Sequence, residues 1–150
     1  MDNSEVVSVL NELIETSKDG EYGFTTCAER ATSVDLKSTL SRRGADCATG
    51  ATELQALVVQ YGGKAEDGGT VAGAVRRGWD TVKDMLSGHK DQAVLDECER
   101  AEDVALGQYR KALKQELPSA VRQVVERQML GVQSNHDRIK ALRDELRTRT

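Results

Sequence analysis

One proline in 150 residues, together with apolar positions that recur every three or four residues over long stretches without helix breakers, restricts this chain to long helices. Leu, Val, Ala, Glu, Lys, Arg and Gln fill those stretches, so composition also favours helix over strand. The spacing predicts a first helix from Asn3 or Ser4 to about Arg30, with Val6, Leu10, Leu13, Ser17, Gly20, Phe24, Cys27 and Ala31 on its inner seam. A second helix begins after an N-cap at Ser33, with Asp35 in its first turn. It presents Leu36, Leu40, Arg43, Cys47, Gly50, Leu54, Leu57 and Tyr61 before "GGKAEDGG" stops it.

A shorter helix is predicted from about Thr70 to Leu86, around the lone Trp79. The third long helix has its N-cap at Asp91 and carries Val94 or Leu95, Cys98, Glu102, Ala105, Tyr109 and Leu113 inward. The fourth takes Pro118 in its first turn, where a missing N–H has no intrahelical partner to lose, and runs inward through Val121, Val125, Gln128, Val132, Asn135, Ile139, Leu142 and Leu146. Short connections make each consecutive pair an antiparallel hairpin, and the long middle connection is a crossover. The predicted fold is therefore all-α: one domain, 1–150, an antiparallel four-helix bundle of two helical hairpins with a short extra helix in the crossover.

The stretch "TSKDGEYGF", 16–24, interrupts the first seam with Ser17, Gly20 and Glu21 where aliphatic side chains would be expected. Aligning the helices by their midpoints brings the other interruptions to the same height. Arg43 to Gly50, Glu99 and Glu102, and Gln128 and Asn135 then form a polar layer across the bundle centre. Buried carboxylates are costly unless paired, hydrogen-bonded or bound to a cation, so this layer must be satisfied internally.

Charge and composition exclude several roles. A net charge of −4 does not provide the basic field that nucleic-acid binding needs. The apolar runs are too short to span a bilayer and the N-terminus has no leader pattern, so a cytoplasmic protein is expected. Cys27, Cys47 and Cys98 are odd in number and far apart in sequence, which fits reduced, buried thiols. With only two histidines, His89 and His136, no Ser/His/Asp set can be assembled.

The segments "LNELIETSKDGEYGF", "GWDTVKDMLSG", "ECERAEDVAL" and "GVQSNHDRI", in this order, resemble the bacterial ferritin-like four-helix-bundle family of the domain of unknown function 2383 type. The resemblance implies a ferritin-like bundle and no established substrate. Ferritin-like di-iron proteins place a single Glu on each of two helices and a Glu-x-x-His on each of the other two. Glu21 and Glu102 correspond to the single glutamates, but the second helix offers Arg43, Asp46 and Cys47 with no histidine, and Met129 follows Glu126 on the fourth.

A guanidinium can neutralise the carboxylates that a metal would need, so the preferred reading is a structural layer of Glu21, Arg43, Glu99, Glu102, Gln128 and Asn135, without a cofactor. The alternative is an iron or manganese site of degenerate type, built from Glu21, Glu99, Glu102 and His136. The expected function is that of a non-catalytic, stress-related or protein-interaction bundle. It would self-associate as a dimer or higher oligomer through an exposed helix face or the crossover helix around Trp79; the rival is a metal-binding protein or oxidase of the same fold.

Overall fold

In a computed structural model, which describes residues 1–66, 79–80 and 91–149, the chain is all-helical among the described residues. Four long helices form a bundle: α1 (Asn3–Arg30), α2 (Val34–Gln60), α3 (Asp91–Leu113) and α4 (Ser119–Arg149). The predicted short helix lies outside the described residues except for Trp79 and Asp80, which are helical. None of the described helices is long and apolar enough to cross a membrane.

The helix ends follow from local chemistry. Asp2 caps α1, its carboxylate accepting the Glu5 N–H at 2.8 Å, and the Ser33 hydroxyl accepts from Leu36 N to open α2. α2 closes on Gly62 at φ +76, where the Gly63 N–H reaches back to the Val58 carbonyl; only a residue without Cβ takes that left-handed turn at little cost. Asp91, the first residue of α3, spends its carboxylate on the α1–α2 turn, accepting from Thr32 N at 2.7 Å and Ser33 N at 2.9 Å. Pro118 stands one position before α4, not inside its first turn, and its carbonyl accepts the first helical hydrogen bond from Arg122 N at 2.9 Å.

The predicted seams are the buried faces. Val6, Leu10, Leu13, Ser17, Phe24, Cys27 and Ala31 are buried from α1, and Cys98, Glu102, Ala105 and Tyr109 from α3. Arg43, Gly50, Gln128 and Asn135 are partly buried, and Leu142 and Leu146 lie in the half-buried last turns of α4. The apolar core divides in two. One cluster gathers Leu10, Leu13, Leu54, Leu106, Val121 and Val125; the other gathers Phe24, Leu36, Leu40, Leu95, Cys98 and Ile139. Between them lie Ser17 to Glu21 on α1, Gly50 on α2, Glu102 on α3 and Asn135 on α4, so the polar layer is the boundary between the two cores.

Gly20 has a steric purpose at this boundary, because a Cβ there would come within 2.8 Å of the Cys47 Sγ on α2. Three residues on, a Cβ at Gly23 would lie 2.2 Å from the Trp79 ring. Trp79 is accordingly 5% exposed, seated on α1 with its indole N–H donating to Asp19. The apparent waste of mid-helix positions on glycine is the means by which α1 admits two close neighbours.

Candidate functional site

Glu102 is the centre of the layer: it projects from α3 and is 1% exposed. Arg43 approaches it from α2 in a fork, Nε donating to Oε2 at 2.9 Å and Nη2 to Oε1 at 3.2 Å. Asn135 on α4 donates from Nδ2 to the same Oε2 at 2.6 Å. A planar guanidinium is the cation best matched to such two-point recognition of a carboxylate. The other side of Arg43 is taken by Phe24 of α1, whose ring centroid lies 5.6 Å below Cζ, within cation–π range.

All four helices therefore contribute to one ion pair. Burial alone would favour the neutral guanidine, but the negative charges around it, on Cys47 and Tyr109 once they ionise and on the hydrogen-bonded Glu102 carboxylate, hold the Arg43 pKa above its ordinary value.

Two turns along the bundle, Tyr109 Oη donates to Gln128 Oε1 at 2.7 Å, and Gln128 Nε2 donates to Glu53 Oε1 at 2.8 Å and to the Gly50 carbonyl at 3.2 Å. Arg127 pairs with the same Glu53 at the surface. Burial raises the Tyr109 pKa although a hydrogen bond from Ser17 opposes it, which leaves this tyrosine a neutral donor. Ser17, Gly50 and Gln128, each an oddity in its own helix, are parts of a single network.

A cleft of about 1000 Å³ reaches this layer from the surface. Arg42, Asp46 and Glu53 of α2 and Arg127, Ser134 and Arg138 of α4 are among the residues that line it.

The predicted layer residues divide by position. Arg43, Glu102 and Asn135 meet directly, and Gln128 bonds instead with Tyr109, Glu53 and the Gly50 carbonyl. Glu21 lies close enough to Cys47 for its charge to raise that thiol's pKa. Glu99 and His136 turn to the α3–α4 flank, where Glu99 pairs with Arg143 and His136 Nε2 with Asp103 Oδ1 at 2.7 Å. Sequence reasoning passed over Glu53, Asp103 and Arg143. The first two are charged residues one helical step from an inward position, and they read as solvated until the partner helix is placed.

The residues present do not fit the di-metal set of ferritin-like proteins. Both oxygens of Glu102 accept from Arg43, and a cation placed there would face a guanidinium already in contact with its ligand.

Cys27, Cys47 and Cys98 are all buried and unpaired by disulfides. Burial pushes Cys47 up to about 12 although Arg43 pulls the other way, and the adjacent Cys27 thiol together with burial raises Cys98 well above its ordinary value.

Ellman's reagent at pH 8 is therefore expected to find no rapidly reacting thiol in the native protein and three after unfolding. The raised Cys47 pKa also fixes a sign. Above the ordinary thiol value of 9.0 the unfolded chain loses this proton before the folded one, so stability declines as pH rises from there towards about 12. Urea melts at stepped alkaline pH measure that decline.

A family model described as a domain of unknown function, DUF2383, matches residues 5–115. The chain belongs to this family. The DUF2383 match takes in α1, α2 and α3 with Arg43 and Glu102, and ends before α4, which supplies Gln128 and Asn135. No curated protein matches the chain.

Proposed function

We propose that this DUF2383 protein is a non-catalytic ferritin-like bundle of the cytoplasm, in which the polar layer is structural and activity lies in contacts with other protein chains, its own copies included. A stress-related role fits such a small interaction bundle by analogy of fold. Contact order supports the ferritin-like reading. Gly44 faces Thr25 while Gly63 faces Val7, and Glu102 meets Asn135 while Glu99 meets Arg143, an order that supports antiparallel pairing in each hairpin. Lys111 pairs with Glu12 and Asp91 with Thr32, which sets α3 beside α1; Arg127 pairs with Glu53, which sets α4 beside α2. Arg43 and Glu102 then bridge the diagonal through the centre.

The observation that carries the non-catalytic reading is that Arg43 takes both oxygens of Glu102, the core carboxylate that a metal would need. With Trp79 seated on its own α1, the surface for association is an exposed helix face. Among the described residues, Val34, 79% exposed, Val59 and Leu130, each 67% exposed, and Val104, 51% exposed, are the exposed aliphatic side chains on α2, α3 and α4 from which such a face would draw. Sedimentation velocity over a wide concentration range tests this. A reversible dimer or higher species is expected, and a monomer at every concentration would remove self-association from the proposal.

A further inference from the structure

Where α3 packs against α4, Glu99, Asp103 and His136 bring two carboxylate oxygens and one ring nitrogen within 4.8 Å of one another. The spacing of Glu99 and Asp103, one helical turn apart, stacks their carboxylates on one face, and α4 delivers the imidazole to it. His136 Nε2 already stands 2.7 Å from Asp103 Oδ1. Its other nitrogen, Nδ1, is buried without a hydrogen bond among the described residues; Asp137 Oδ1, 3.6 Å away, is too distant to supply one. Neither Asp103 nor His136 serves the polar layer. Their chain neighbours Glu102 and Asn135 turn inward to it, which leaves these two on the flank.

We propose that Glu99, Asp103 and His136 form a binding site for a single first-row divalent cation, with Zn²⁺ the ion best suited to one imidazole and two carboxylates. Nε2 coordinates, and a small rotation of the ring brings Nδ1–H to Asp137, giving the imidazole the carboxylate partner that metal-bound histidines usually have. The donor atoms lie within 4.8 Å of one another and the Nε2–Asp103 pair at 2.7 Å, against the ~3.3 Å edge of a tetrahedron with ~2.0 Å bonds, so the side chains readjust when the metal replaces that contact. Asp103, 60% exposed, is free to make that adjustment. Arg143 remains on the Glu99 oxygen that it already holds and leaves the other for the metal.

This site stands apart from the core layer. The polar-layer reading can fail without it, and it can fail while that reading stands.

The test is calorimetric titration of the tag-free, full-length protein with ZnCl₂ alone, beside thermal melts with and without zinc. One equivalent of zinc and a raised melting temperature are expected. Asp103→Ala and His136→Ala should each weaken binding by at least the roughly 10- to 100-fold that loss of an outer partner costs a metal site. Asp103→Ala removes an exposed side chain, so its zinc-free melt should match the wild type, and Asp96→Ala on the same helix should bind zinc normally. No binding by the wild type, or undiminished binding by both variants, would overturn the proposal.

Discussion

Replacing Glu102 with Ala is expected to cost about 3–5 kcal/mol of stability, since it leaves the Arg43 guanidinium, only 11% exposed, buried without its counter-ion. For a chain of this length that is a fall of roughly 6–20 °C in melting temperature. The same logic predicts a second result that a simple count of contacts would miss. A buried ion pair repays little more than its own desolvation, so removing both charges with Arg43→Met and Glu102→Leu should recover most of the loss. Chemical denaturation of the two single variants and the double variant measures the coupling directly. Additive losses would mean that the two side chains do not act as a pair.

Phe24→Ala is expected to be of comparable size, about 3–5 kcal/mol, because the ring is 2% exposed and fills the core next to the layer. Phe24→Leu separates its two roles. Leucine refills most of the volume but has no π face for Arg43, so a residual loss of about 0.5–2 kcal/mol is the share of the cation–π contact. That residual should vanish in an Arg43→Met background, where no cation sits over the ring. A residual that persists there would assign the whole effect to packing.

These side chains also show what the sequence made legible and what it withheld. The seams of α1 and α3 could be read residue by residue, because each carries enough aliphatic positions at helical spacing to fix its rotation. The interruptions at Ser17, Gly20, Glu102, Gln128 and Asn135 were legible as one layer because helices of similar length leave little freedom of register. Partners were harder to read. Gly20 is anomalous within its own helix and is explained only by Cys47 opposite, and spacing makes Glu99 as inward as Glu102 although the three-residue step between them turns its carboxylate to Arg143. Asp103 was invisible as a site residue for the same reason: its meaning depends on His136, which another helix supplies. Spacing along one helix encodes which face is buried, whereas chemistry between helices depends on rotations of a few tens of degrees that no single seam specifies.

The central claim, that Arg43 and not a metal neutralises the core carboxylate, is tested most directly by elemental analysis of the His136→Ala variant, in which the proposed flank site is removed. The protein should be purified without chelator from cells supplied with iron and manganese, and its melting temperature taken with and without EDTA. The account predicts only trace metal and a melting temperature that EDTA does not change. Iron or manganese in near-stoichiometric amount, abolished by adding Glu102→Ala, would contradict it.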